Sequence, residues 1–249
     1  MSATSPLLKK VAIVTGSSRG IGAAIARRLA ADGASVVVNY SSSAPAARDV
    51  VAAIQKAGGR ALAVRADVSV AAEIATLFDA TEKAFGQVDI LVNNAGIMIN
   101  HPIRDVEEAE FDKVIALNLK GTFLGCREAA RRMNDEGRII NMSSTTTAGM
   151  FPNYGSYVAS KGGVEQLTRV LAKELGPQRI TVNAVSPGPT DTELFNEGKS
   201  PEVIQRLASL AALNRIGTPE EIAEVVAFLA SPAARWVTGQ NIRANGGLA

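Results

Sequence analysis

One cysteine and one histidine stand in 249 residues, and aromatic side chains make up only 4% of the chain. With Cys126 alone no intrachain disulfide can form, and a thiolate zinc cage is excluded. With His101 alone, every two-histidine metal motif is excluded as well, so no metal is expected. No stretch approaches the ~20 consecutive apolar residues that span a bilayer. The positive charges of Met1 to Lys10 follow the apolar residues there, with no apolar core between, which is not the order of a signal peptide. Neither sign of charge dominates: 26 Lys and Arg face 24 Asp and Glu, for a net charge of +2, so a nucleic-acid surface is not indicated. What is present is a globular composition, 47% apolar and 20% charged, on a chain long enough for a large buried core. These features predict a cytoplasmic, single-domain protein without nucleic-acid or membrane partners.

Short β-branched runs alternate with longer helical patterns. The runs are Val11–Val14, Val36–Val38, Ala61–Val64, Val88–Val92, Arg138–Met142 and Ile180–Val185, with a further strand expected near Gln240–Arg243. They are nearly continuous in apolar residues, as strands covered on both faces are. Between them, apolar residues recur at helical spacing: Ile21, Ile25 and Leu29; Val50, Ile54 and Ala57; Ile74, Leu77, Phe78 and Phe85; Ile222, Val225, Val226 and Leu229. Ser69 reads as a helix N-cap, and so does Thr218 with Pro219 in the first turn. The alternation predicts an α/β fold, a doubly wound parallel sheet of about seven strands with helices on both faces. A helical insertion at about residues 190–213 breaks the rhythm, where ligands sit in open α/β sheets.

The first run leads into Thr15-Gly16-Ser17-Ser18-Arg19-Gly20-Ile21-Gly22 and then a helix. Glycines there let the backbone turn sharply and approach a pyrophosphate, while the helix N-terminus offers free N–H groups and partial positive charge. The spacing G-x-x-x-G-x-G is neither the commoner G-x-G-x-x-G nor a P-loop. A glycine-rich turn that binds nothing is the plain alternative. Gly16-Ser17-Ser18-Arg19-Gly20 also fits G-x-S-x-G, but a hydrolase elbow follows several strands and needs a base that His101 is badly placed to supply.

Tyr157 and Lys161 are four residues apart and share a helix face. A phenol is a poor acid–base catalyst at neutral pH, and an ammonium beside it is expected to lower its pKa. Ser144 follows the run ending at Met142, so its hydroxyl stands at a strand end. Taken alone, Y-x-x-x-K is an ordinary surface pair; its company makes it informative.

TGSSRGIG at 15–22, NNAG at Asn93–Gly96, Asn118, Ser144, YVASK at 157–161 and Pro187-Gly188 occur in one order and spacing. With them the chain resembles the short-chain dehydrogenase/reductase family from about Lys10 to its end, and within it the 3-oxoacyl-carrier-protein reductase-like group of carbonyl reductases. Asn245-Gly246-Gly247 departs from the family's usual Asp-Gly-Gly. The resemblance implies a Rossmann-type fold and hydride transfer between a nicotinamide and a small-molecule carbonyl or alcohol. It assigns Tyr157 as acid, Ser144 as second donor, Lys161 to the phenol and the nicotinamide ribose, and Asn118 to a water reaching Lys161. A helix-interior amide bonded to backbone is the other reading of Asn118. For the dinucleotide it implies Gly16, Ser18, Arg19, Gly20, Ile21 and Gly22 at the phosphates, Asp67 and Val68 at adenine, and Asn93, Ala95 and Gly96 along the adenosine side. Pro187, Gly188, Thr190 and Thr192 would hold the carboxamide. Ser143 is a neighbour of the reacting groups, Cys126 is packing and His101 a rim residue. Met98, Ile99, Met150, Phe151, Leu194 and Phe195 are candidates for an apolar substrate wall.

The second run ends Asn39-Tyr40-Ser41-Ser42 with no acid before Asp49. A carboxylate there would favour NAD, so Tyr40, Ser41, Ser42 and Arg19 point to NADP(H). A ketone, β-keto ester or 3-oxoacyl thioester is the expected substrate. An NAD-linked alcohol, sugar or steroid dehydrogenase, and a catalytically silent dinucleotide-binding module, are the alternatives. The family resemblance further implies a homotetramer. Two long helices, about Asn118–Asn134 and Tyr154–Leu175, carry apolar residues that could face a neighbouring subunit: Leu124, Ala129, Val164, Leu167 and Leu171.

Overall fold

The computed structural model describes residues 5–249; Met1–Thr4, and with them the first part of the N-terminal reading, lie outside the described residues. Seven parallel strands form one sheet in the order β3-β2-β1-β4-β5-β6-β7. They are β1 (Val11–Val14), β2 (Ser35–Tyr40), β3 (Arg60–Arg65), β4 (Ile90–Asn93), β5 (Arg138–Met142), β6 (Thr181–Pro187) and β7 (Asn241–Ala244). Among the described residues, ten α-helices fill the connections: α1 (Gly20–Ala31), α2 (Ala44–Lys56), α3 (Ala71–Phe85), α4 (Glu108–Val114), α5 (Gly121–Arg132), α6 (Thr146–Gly149), α7 (Gly155–Glu174), α8 (Glu193–Asn196), α9 (Pro201–Ser209) and α10 (Pro219–Ala230). This is the Rossmann-type doubly wound sheet that the alternation predicts.

Alternation of side chains along each strand divides the core in two. Ala12, Val14, Val36, Val38, Ile140 and Val185 pack with α1, α2 and α10 on one face. Ile13, Val37, Leu91, Ile139 and Val182 pack with α3, α5 and α7 on the other. The central strands are buried throughout, whereas edge strand β3 alternates exposed and covered residues. Because β1 lies between β2 and β4, the connection from β1 runs to one side and that from β4 to the other, which opens a crevice at their carboxyl ends.

β1 and β5 match the sequence reading and the other strand ends shift by one or two residues, since backbone pairing and not apolar content sets where a strand stops. The Val88–Val92 run, for example, pairs only as Ile90–Asn93. Thr218 caps α10 as expected, exchanging hydrogen bonds with Glu221 in a capping box behind Pro219. Ser69 does not cap α3. Its N–H and hydroxyl both donate to Asp67 Oδ1, at 2.9 and 2.7 Å, and the helix starts after Val70 with no side-chain cap. The helix expected from Asn118 begins earlier, because α4 runs through a π-helical segment, Ile115–Lys120, straight into α5.

The proposed subunit-facing residues need correction. Leu124, Ala129, Val164 and Leu171 are buried within the single chain, and Leu167 packs against the same core. The large apolar residues left outside on these helices are instead Phe111, Phe123 and Val170. No helix among the described residues is long and apolar enough to cross a membrane.

A buried polar chain locks α5, β4, β5 and α7 together. Asn93 Nδ2 donates to Asn141 Oδ1 (2.9 Å), Asn141 Nδ2 to Thr168 Oγ1 (2.9 Å), and that hydroxyl to Val164 O (2.8 Å). Gly125 of α5 lies directly over Asn93, and a Cβ there would fall on Asn93 Oδ1. Gly125→Ala should therefore destabilise the protein by about 1–3 kcal/mol through overpacking. Urea unfolding measures it, and an unchanged midpoint would contradict the close approach.

Candidate active site

The turn between β1 and α1 is held by its neighbours before any ligand is considered. Gly16 and Gly20 adopt φ of +59° and +54°, where a side chain is strained. A Cβ on Gly16 would also lie 2.8 Å from Ala95 Cα, and one on Gly22 within 2.8 Å of Ser17 Cα. Gly16 N–H donates to Asn39 Oδ1 (3.1 Å), and Asn39 Nδ2 donates to Ala66 O (3.0 Å), so a buried amide at the end of β2 ties the turn to β3. Arg19, the N-cap of α1, provides no side-chain cap, and the first turn contains no acid. Uncapped N–H groups at a partial positive charge suit an anion.

Around this turn opens a cleft of about 520 Å³. Gly16, Ser18, Arg19, Gly20, Ile21, Gly22, Tyr40, Ser41, Ser42, Asp67, Val68, Ala95, Gly96, Tyr157, Lys161, Pro187, Gly188, Thr190 and Thr192 all line it. Asn93 does not. Its amide is engaged with Asn141 beneath the cleft, and Asn94 stands at the surface instead, bonded to the carbonyls of Thr15 (2.9 Å) and Gly16 (3.0 Å). In Asn93-Asn94 the sequence cannot tell which amide faces in; β4 ends at Asn93, and that pleat decides. Asn39 was likewise missed as a site residue, although a lone amide in an apolar strand end is a signal.

Asn118 is fully buried in the π-helical segment. Its Oδ1 accepts from Ile97 N (2.9 Å), while Nδ2 donates to Ile97 O (2.9 Å) and Ser160 Oγ (3.1 Å). The side chain thus fastens the loop after β4 to α7, as the backbone-bonded reading holds.

At the floor, β5 and α7 bring three groups together. Ser144 follows β5, and Tyr157 and Lys161 lie one turn apart on α7. Burial pushes the Tyr157 phenol above its ordinary pKa, and a hydrogen bond with Ser144 opposes that rise. Ser144 Oγ accepts from Thr146 N (3.3 Å) and Thr146 Oγ1 (3.0 Å), so its own hydrogen remains to be donated. Lys161 Nζ is 5.8 Å from the Tyr157 ring centroid and donates to Met142 O (2.7 Å). Burial brings Lys161 down from 10.5 to about 8. The expected lowering of the phenol by Lys161 is not what the arrangement gives: burial raises it, and the ammonium is aimed at the Met142 carbonyl.

Of the segment after β6, Thr192 and α8 border the cleft. Thr192 caps α8, accepting from Phe195 N (3.1 Å), and its methyl would meet a Cβ on Gly20 at 3.4 Å. Glu193 reaches Arg19 across the mouth (3.1 Å); both are largely exposed. Met98, Leu194 and Phe195 line the cleft, whereas Ile99, Met150 and Phe151 are not among its lining residues. Phe151, Tyr154 and Tyr157 form an edge-to-face row. His101 is exposed near Glu110, and Cys126 is buried, its thiol raised to about 12 by burial.

Similarity to known proteins agrees with this geometry. A family model described as enoyl-(acyl carrier protein) reductase matches residues 16–249. NADPH-dependent aldehyde reductase 2, chloroplastic, of Arabidopsis thaliana is 47% identical, over 99% of this chain and 97% of its own. A short-chain dehydrogenase/reductase from Serratia marcescens superposes with a TM-score of 0.94 at 43% identity, covering 98% of this chain and 99% of that one. The angucycline C-6 ketoreductase LanV with bound NADP gives a TM-score of 0.92 at 43% identity, covering 98% and 96%. Sheet order, glycine turn, the Ser144–Tyr157–Lys161 group and these matches coincide, and the chain belongs to the short-chain dehydrogenase/reductase family of oxidoreductases.

Proposed function

We propose that the protein is an NADP(H)-dependent reductase that turns a carbonyl, such as a ketone, β-keto ester or 3-oxoacyl thioester, into a secondary alcohol. The observation that carries this reading is that Tyr157 and a buried Lys161 line the cleft the glycine turn opens, with Ser144 beside the phenol just after β5. The cleft suits a dinucleotide: Gly16 and Gly22 leave no room for a Cβ, and α1 presents an uncapped N-terminus. When bound there, NADPH supplies the hydride from its nicotinamide. As the carbonyl carbon accepts it, charge grows on oxygen. Ser144 donates a hydrogen bond to that oxygen, and Tyr157 donates a hydrogen bond and then its proton. A phenol raised by burial is protonated at neutral pH, as an acid must be. Lys161 Nζ, 5.8 Å from the Tyr157 ring centroid, is a cation beside the phenolate left behind.

The preference for NADP(H) rests on the end of β2. Tyr40, Ser41 and Ser42 line the cleft where a carboxylate would repel a 2′-phosphate. Arg19 is the nearby cation, and its exposed pair with Glu193, worth under about 1 kcal/mol, is easily exchanged for a phosphate. The small-molecule substrate would meet Met98, Leu194 and Phe195. A homotetramer belongs to this reading, with Phe111, Phe123 and Val170 as its available apolar surface. So does a cytoplasmic location, with which the lone reduced Cys126 agrees.

Three measurements test it. Tyr157→Phe should abolish turnover of a ketone panel while NADPH binding, followed by fluorescence, changes little; near-parental kcat would sink the mechanism. The parent should favour NADPH over NADH in kcat/KM by about tenfold or more, about 1.4 kcal/mol, and Tyr40→Asp should erase or reverse that. A parent that prefers NADH would show the strand end to be misread.

The third concerns Lys161. Its pKa falls from 10.5 unfolded to about 8 folded, so between those values the unfolded chain holds a proton the folded protein has released. Stability therefore rises with pH across that window, and the cost of the buried cation is fully present below it. Relative to Lys161→Met, the parent should gain up to about 3 kcal/mol between pH 7 and 10.5. A pH-independent difference in urea unfolding would contradict the burial.

A further inference from the structure

Helix α7 carries a third polar side chain in line with Tyr157 and Lys161: Glu165, another turn on. The reaction proposed above has no use for it. Its Oε1 accepts from Ser143 Oγ (2.8 Å) and from Thr147 Oγ1 (2.7 Å). Those two residues bracket Ser144, one on the strand side and one in the single turn of α6.

We propose that Glu165 is a positioning residue for Ser144, gripping the chain on both sides of that serine so that its hydroxyl stays in reach of Tyr157 and the substrate oxygen. The segment needs such a grip. From Ser143 to Gly149 the chain leaves the sheet and makes one helical turn, held on its other side by Ser143 N to Val185 O (2.7 Å) and Thr145 N to Pro187 O (3.0 Å). Strand β6 thus fixes the segment from one flank and Glu165 from the other. Hydroxyl-to-carboxylate hydrogen bonds are among the stronger ones, and two share a single oxygen here. Ser144 Oγ does not touch Glu165. It is oriented at one remove, with Thr146 filling its acceptor side. A displacement of about 1 Å at a group that contacts the reacting atoms costs on the order of a hundredfold in rate. Placing the clamp on α7 makes the donor pair rigid as a unit, because the helix that presents Tyr157 also sets Ser144.

This inference rests on the reductase reading, and a double-mutant cycle separates the two. Ser144→Ala, Glu165→Ala and the double variant are compared by kcat and KM on a reduced ketone, by NADPH fluorescence titration and by thermal unfolding. Glu165→Ala should lower kcat by about ten- to a hundredfold. NADPH affinity should stay within about twofold. In the Ser144→Ala background the same change should cost under about twofold more, because the group through which it acts is gone. Glu165→Gln keeps an acceptor oxygen for the two hydroxyls and should restore most of the rate. Thr147→Val removes one donor with the carboxyl intact and should give a smaller loss of the same kind, which holds the test open if Glu165→Ala fails to fold. Full additivity with Ser144→Ala, or a parental kcat in both Glu165→Ala and Thr147→Val, would overturn the proposal. A parental kcat in Ser144→Ala itself would overturn the reductase reading, and the clamp with it.

Discussion

An ammonium group buried where sheet meets helix is the constraint around which the site is arranged. Lys161 is 4% exposed, and its Nζ donates to the last carbonyl of β5. A cation in such a place is costly unless it keeps strong acceptors. Met142 O provides one, and in doing so it fixes the height of α7 on the sheet. The rest of the candidate site follows from that height: Tyr157 one turn before Lys161, Ser144 two residues beyond Met142. The price is a lysine whose proton is only weakly held.

Polar side chains elsewhere serve the same docking from beneath. Asn93, Asn141 and Thr168 join β4, β5 and α7 in a line of direct hydrogen bonds, and Asn118 joins α7 to the loop after β4. Satisfied networks of this kind favour one arrangement, because any slip leaves an amide unpaired in the interior. The apolar layers supply most of the stabilisation. The amides decide the register in which those layers meet.

The sheet and most of its helices are legible in the sequence, since β-branched runs and helical spacing directly reflect which side chains are buried. The Thr218 cap is legible for the same local reason: two residues three apart complete it. What is not legible depends on contacts between distant segments. Asn93 and Asn94 look alike until β4 ends between them. Ser69 looks like a cap until Asp67 takes its donors. Leu124 and Val164 look available to a partner until the opposite helices cover them. Within the candidate site, the positions of Ser144, Tyr157 and Lys161 follow from the motif. The direction in which burial moves the phenol does not, because desolvation has no signature in a spacing.

The π-helical stretch from Ile115 to Lys120 bears on how this chain can vary in length. An α-helix turns about 100° per residue, so the wider turn resets which residues of α4 and α5 face the core. Asn118 points at Ile97 only because of that reset. A codon lost or gained between Glu108 and Arg132 would swing the two halves against each other and take Asn118 off the loop it fastens. The tight turns at Gly58 and Gly86, where an added Cβ would meet nothing, lie at the amino ends of β3 and β4 and face open solvent. Insertions and deletions can accumulate there, and the carboxyl ends that border the cleft must keep their residue count.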